Sequence, residues 1–221
     1  MAELCENEIL TCDDDESTNS SFLLGYYNYT VILTYIGVFV GFSGILYAIN
    51  KQIPQALLCL MGAGFCDMFD GAIASTMKRT KQEKRFGVQI DSLSDLVCFG
   101  VLPALIVNSC VNNKFNLWIC GVYVLCALIR LSYFNVEEEE RQNKSEGKRE
   151  FYKGMPVTTM AIILPFLYHE STKGYLYLFV LIGASIAFLL PTEIKKPNML
   201  MKLIMLAIGL IAFFKVLMVI I

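Results

Sequence analysis

The segment CDMFDGAIAS, residues 66–75, closes an uncharged apolar run, ALLCLMGAGF at 56–65, and carries two aspartates three residues apart. A second pair, Asp91 and Asp95, lies four residues apart in FGVQIDSLSDLVCFG, residues 86–100. On a helix turning about 100° per residue, Asp67, Asp70, Gly71 and Ala74 share one face, and Asp91 and Asp95 share a face of the next helix. A short basic connection makes the two helices antiparallel neighbours, so both pairs lie toward the same ends and can meet. A charge inside an apolar span costs several kcal/mol unless it is paired or wetted, and four carboxylates together also repel. Neither span holds a basic residue beside them, so metal ions are the natural compensation. Oxygen-only ligands suit Mg²⁺ or Mn²⁺, which usually bridge carboxylates to a substrate phosphate. Gly71 and Ala74 fit this, because small residues on the same face leave room for a bulky group and a close helix neighbour.

Such residues need a membrane scaffold to hold them. The 221 residues are 56% hydrophobic and 17% charged, with a mean hydropathy of +0.55, whereas a soluble domain carries about 25% charge. A membrane-crossing helix needs roughly 20 mostly apolar residues. Seven stretches qualify or come near it: about 29–49, 54–77, 88–108, 115–134, 156–169, 174–190 and 198–220, the fifth being short. The expected fold is all-α, a polytopic transmembrane helical bundle. Residues 1–28 read as an acidic cytoplasmic tail, 29–197 as the transmembrane core and 198–221 as an additional span. The tail opens MAELCENEILTCDDDESTNSS, without Lys or Arg, and so lacks the basic start of a secretory signal. The eight cysteines form no CxxC pair and read as reduced, structural thiols.

The pattern D67-x-x-D70-G71-x-x-A74, followed by G87-x-x-x-D91-x-x-x-D95, resembles the signature of the CDP-alcohol phosphotransferases. The resemblance implies a six-helix core with two divalent metals, Mg²⁺ or Mn²⁺. It implies Asp67, Asp70 and Asp91 as metal ligands and Asp95 as both ligand and the base that deprotonates the attacking alcohol. It also implies that Asp67, Gly71, Ala74 and Gly87 line the CDP site. The family usually has Arg after the Ala, where this chain has Ser75, and the stretch from Ser75 to Gly87 is longer than usual. On a continued helix Arg79 would stand one turn later on the same face, in position to substitute.

The segment RLSYFN, 130–135, followed by GMPV, 154–157, and the stretch DSLSDLVCFGVLPA, 91–104, resemble the membrane-type phosphatidylserine synthases within that family. This implies CDP-diacylglycerol and L-serine as substrates, and phosphatidylserine and CMP as products. Arg130 would grip a carboxylate or phosphate with its fork, and Asn135 would offer a donor and an acceptor. Membrane lipids are expected partners, a homodimer is implied by resemblance, and no nucleic-acid partner is expected. Within the family the acceptor could instead be glycerol 3-phosphate or inositol phosphate. From another class, an ion-coupled transporter also uses membrane carboxylates, but it gives no reason for Gly71 and Ala74 at these spacings. A phospholipase-D-like synthase needs two His-Lys-Asp motifs, and the single histidine, His169, is expected at the far end of the fifth span.

Basic residues set the expected orientation. Lys78, Arg79, Lys81, Lys84 and Arg85 fill one connection; Arg141, Lys144, Lys148, Arg149 and Lys153 fill another; Lys195 and Lys196 lie in a third. The opposite connections hold only Lys51, Lys114 and Lys173. The positive-inside rule puts the first set, and with it the carboxylates, on the cytoplasmic face of a multi-pass protein. Lys153 and Lys196 then become candidates for phosphate or anionic-lipid contact. A cysteine placed at position 78 in a background without other cysteines should resist an impermeant maleimide in intact cells and react after permeabilisation. Ready labelling of intact cells would reverse the orientation.

Overall fold

Tyr29–Ile49 forms α1, an uncharged helix that buries Gly37, Gly41, Gly44 and Ala48 along one side. These small residues let it press against its neighbours. A methyl at Gly41 would lie 2.5 Å from the Cys98 sulfur, and one at Gly44 would lie 2.8 Å from Cys59 Cβ. Close backbone approach of this kind holds helices together where lipid removes the hydrophobic drive. In the computed structural model, residues 25–74, 76–111, 115–143, 151–169, 174–195 and 199–220 are described.

Helix α2, Ile53–Ala74, runs antiparallel along α1. It ends three residues earlier than the apolar run suggests. Helix α3, Lys81–Asp95, starts seven residues earlier than expected, and its first turn explains why. The Thr80 hydroxyl accepts from the Glu83 amide, and the Glu83 carboxylate accepts from the Thr80 amide at 2.8 Å. This reciprocal cap starts a helix in polar sequence that hydropathy does not reach. The same rod continues through a π-turn, Leu96–Val101, into α4, Leu102–Cys110.

Helix α5, Asn116–Asn143, has 28 residues and runs nine beyond the apolar stretch. Its polar end is supported by side chains one turn apart, Tyr133 with Glu137 and Glu138 with Arg141. After it, β1, Phe151–Lys153, pairs antiparallel with β2, Glu193–Lys195, so the described residues, mostly helical, also carry one small ribbon. Gly154 follows at φ +75, and a Cβ there would meet the Phe188 carbonyl at 3.0 Å, so glycine alone fits this corner.

A 3₁₀ turn, Val157–Thr159, leads into the short α6, Met160–Leu167. Helices α7, Gly174–Leu189, and α8, Met199–Ile220, complete the order, and α8 packs on α2 and α6. Lys215 of α8 donates to the Phe166 carbonyl of α6 at 3.1 Å. The rods Tyr29–Ile49, Ile53–Ala74, Lys81–Cys110 and Asn116–Arg141 are long and apolar enough to cross a bilayer, and shorter apolar helices accompany them.

The centre of the bundle is built from Leu57, Leu60, Phe99, Leu102, Tyr123, Met160 and Leu181, each almost wholly enclosed. Outside it, Phe39 is 73% and Met218 80% exposed, among many other large apolar side chains. In water that surface would be a severe liability, so it faces hydrocarbon. The molecule is an integral membrane helical bundle. Described parts of the basic connections are joined in two places, by the β1–β2 ribbon and by an ion pair between Arg85 of α3 and Glu139 of α5.

Candidate active site

Two helices deliver the acidic centre. Asp67 and Asp70 come from the last two turns of α2, and Asp91 from α3. One carboxylate oxygen from each of these three lies within 4.8 Å of the others. Asp95, one turn beyond Asp91, falls outside that group. It lies within hydrogen-bonding reach of Asp67 and shares with all three a void of about 10 Å³, room for about one water. Asp70 is buried, and the other three are half-buried.

The donor set answers whether a cation fits. Three converging carboxylates offer only hard, anionic oxygens, which suit Mg²⁺ or Mn²⁺ and not a soft metal. Asp67, Asp70 and Asp91 would hold such an ion. The thiols of Cys66 and Cys98 line the same void, yet Cys98 Sγ is turned toward the Gly37 carbonyl at 3.5 Å.

Helix α1 supplies a residue that spacing did not single out. The buried Thr34 hydroxyl donates to Asp70 Oδ2 at 3.0 Å. It fixes one oxygen of the carboxylate and leaves the other to face a ligand, the usual service of a partner behind a metal ligand. The signal in the sequence was faint: Thr30 and Thr34 are hydroxyls one turn apart within an apolar span.

In front of the aspartates opens a cavity of about 1060 Å³. Asp70 and Asp91 face it, whereas Asp67 and Asp95 stand behind them in the smaller void. Gly71 and Ala74 line its wall, and a Cβ on Gly71 would meet no atom within 4 Å, so the missing side chain is open volume. Gly87 lines the opposite wall, where a Cβ would come 3.1 Å from Arg79 Nη1.

Arg79 does not continue the face of α2, because that helix stops at Ala74. It lies instead in the connection and lines the cavity across Gly87, with a buried Nε that has no hydrogen-bond partner. Ser75 lies outside the described residues. Lys81, Lys84, Arg85 and Arg141 add to the basic lining, interleaved with Glu138 and Glu139.

Asn135 reaches the cavity from α5, and its Oδ1 accepts from the Ser92 hydroxyl at 2.7 Å. That bond ties α5 to the residue beside Asp91. Arg130 is only 7% exposed and is absent from the cavity lining. Its guanidinium stands 5.4 Å from the centre of the Phe134 ring, a Cβ on Gly154 would lie 3.4 Å from its Nε, and its charge reaches Asp95. A third helix, α5, thus carries a cation whose charge is felt at Asp95, though less than that of the neighbouring aspartates. Lys153 sits in β1 opposite Glu193, but its side chain and the whole of Lys196 lie outside the described residues. His169 follows the short α6, on another element from the aspartates.

A family model described as CDP-alcohol phosphatidyltransferase matches residues 27–220. The chain is 38% identical over 149 residues to the CDP-diacylglycerol–serine O-phosphatidyltransferase of Saccharomyces cerevisiae, covering 61% of this chain and 52% of that protein. It is 28% identical over 174 residues to the Mycobacterium tuberculosis protein of the same name, covering 74% of this chain and 59% of the relative. An archaetidylserine synthase from Methanothermobacter thermautotrophicus is 28% identical over 165 residues, 73% of this chain and 67% of that protein. The chain thus spans little more than half the length of the yeast and mycobacterial relatives.

Replacing Thr34 by Val keeps the shape and removes the donor to Asp70. Such changes behind a metal ligand typically cost about 10–100-fold in metal affinity. Titration of the purified Thr34→Val protein with Mn²⁺, followed by the signal of the unbound ion, should show at least the lower end of that loss. Unchanged Mn²⁺ affinity would mean that Asp70 needs no such orientation.

Proposed function

Because this chain belongs to the CDP-alcohol phosphatidyltransferase family, we propose that it transfers the phosphatidyl group of CDP-diacylglycerol to L-serine, giving phosphatidylserine and CMP. The observation that carries the reading is the arrangement of charge. A cluster of carboxylates closes the deep end of a cavity of about 1060 Å³ whose other lining is basic and glycine-bearing. A diphosphate bridging two such surfaces finds cations on one side, with Arg79 admitted by Gly87, and open space at Gly71 on the other. The names of the relatives favour serine as the acceptor.

The residues divide the work as follows. Arg79, with its unsatisfied Nε, takes the phosphate contact left open by Ser75, and its fork gives it geometry as well as charge. Asp67, Asp70 and Asp91 hold the divalent ions, with Asp95 as a further ligand of a two-metal site. When bound, these ions neutralise the diphosphate and the departing CMP. Asp95 takes the proton of the serine hydroxyl, a poor nucleophile without a base. Asn135 and Arg130 recognise the serine headgroup, Arg130 through its carboxylate, and Lys153 and Lys196 meet phosphate at the same end. The acyl chains stay in the lipid against the exposed apolar flank, and the reaction faces the cytoplasm.

The deciding experiment measures CMP release from CDP-diacylglycerol with serine, glycerol 3-phosphate and inositol phosphate in parallel. Serine should be the productive acceptor, and chelation should abolish turnover until Mg²⁺ or Mn²⁺ is restored. Preference for a phosphorylated alcohol would transfer the basic lining to acceptor recognition. Ion-dependent flux without CMP release would indicate a transporter. Asp95→Asn keeps the shape and removes the base, which is worth about 10²–10⁴ in rate; turnover should fall by that order while CDP-diacylglycerol still binds.

A separate measurement addresses Arg130. Arg130→Lys retains the charge and loses the fork. Apparent serine affinity should fall more than affinity for CDP-diacylglycerol, and equal losses would assign Arg130 to structure or phosphate.

A further inference from the structure

We infer that Tyr123 is a positioning residue for this reaction: it pins the π-turn that follows Asp95 and so fixes where the Asp95 carboxylate stands. The inference rests on the reading of Asp95 as the base and adds a residue to it. It starts from Pro103. Proline has no N–H, and within a helix it leaves the carbonyl four residues earlier without its donor. That carbonyl belongs to Phe99, which is itself four residues after Asp95. Asp91, Asp95, Phe99 and Pro103 therefore succeed one another along one side of the rod.

Around this point the helix widens into the π-turn Leu96–Val101, which begins at the residue after Asp95. Single π-turns inside helices occur frequently at functional sites. Pro103 cannot donate to the Phe99 carbonyl, backbone acceptors inside a bilayer must be satisfied within the protein, and here another helix contributes a donor. The Tyr123 hydroxyl of α5 donates to the Phe99 carbonyl at 2.6 Å. Tyr123 is completely enclosed, and its ring packs 5.6 Å from that of Phe188. A phenol at this depth needs a partner for its O–H, and the Phe99 carbonyl of the π-turn provides it.

The contact has a second effect. Tyr123, Ala127, Arg130 and Phe134 recur at helical spacing on one side of α5. Anchoring Tyr123 to the π-turn holds the register of α5 against the aspartate rod. The same register brings the Arg130 charge to Asp95. One hydrogen bond thus ties the turn after Asp95 to the helix that carries Arg130.

Tyr123→Phe removes the oxygen and keeps the ring. Misplacing a reacting group by about 1 Å can cost about 100-fold, so kcat should fall between about 10- and 100-fold, with KM for CDP-diacylglycerol within about twofold. The same substitution in an Asp95→Asn background should cost almost nothing further, because the positioned group is already gone. Thermal unfolding in detergent reports folded protein in all four combinations. Unchanged kcat in Tyr123→Phe, a loss of the same size with and without Asp95, or a loss matched by the folded fraction would each overturn the positioning role. If Asp95→Asn alone kept full turnover, the base assignment would fall first and the role of Tyr123 with it.

Discussion

Carboxylates gathered in a membrane bundle are held at a cost, and most of what surrounds these four serves to meet that cost. Asp67, Asp70 and Asp91 bring oxygens within 4.8 Å of one another, a spacing at which like charges repel strongly in a medium of low dielectric constant. The bundle answers in three ways. Thr34 donates to Asp70, the charge of Arg130 reaches Asp95 from another helix, and the cluster opens onto a cavity lined with cations. The glycine stripe of α1 belongs to the same solution, since only a helix lacking side chains at Gly37, Gly41 and Gly44 brings Thr34 close enough to the end of α2.

The polarity of the cavity follows from that arrangement. Its deep end is acidic and its rim is basic, with acidic side chains of α5 set among the cations. Ion pairs between Arg85 and Glu139, and between Arg141 and Glu138, occupy part of that rim. The first pair is exposed, so it contributes little stability and is screened by salt, whereas the second is partly buried. They act instead as placeholders that keep long basic side chains ordered around the opening. Arg79 is different, because Gly87 lets it lie flat against α3 with an unsatisfied nitrogen.

The aspartates and the apolar runs were legible in the sequence because each depends on local spacing. Period and charge place Asp67, Asp70 and Asp91 on facing helices, and hydropathy finds the helices that carry them. The remaining features depend on contacts between distant segments. The T80-x-x-E83 cap was readable in principle, but it lies in a polar connection, so the start of α3 was placed too late. Arg79 was placed by extending a helix that ends at Ala74. The charge of Arg130 that is felt at Asp95 has no signal in the two aspartate helices, because it comes from α5. The partners Thr34 for Asp70 and Tyr123 for Phe99 are 36 and 24 residues apart, and no periodicity links them. The ribbon of three-residue strands is too short to leave a pattern.

The length of α5 has a consequence of its own. Its 28 residues extend about 42 Å at 1.5 Å per residue, whereas the hydrocarbon layer is about 30 Å deep. The polar turns from Glu137 onward therefore stand above the lipid as a rigid post rather than a loop. On the proposed reading, the two kinds of molecule that meet here come from different phases, one confined to two dimensions and the other diffusing in three. A stiff post at the boundary gives the water-borne molecule a landing place at a fixed height over the embedded carboxylates. It also separates two regions along one helix: the upper turns carry polar side chains at the boundary, while the turns around Tyr123 and Arg130 are buried within the bundle.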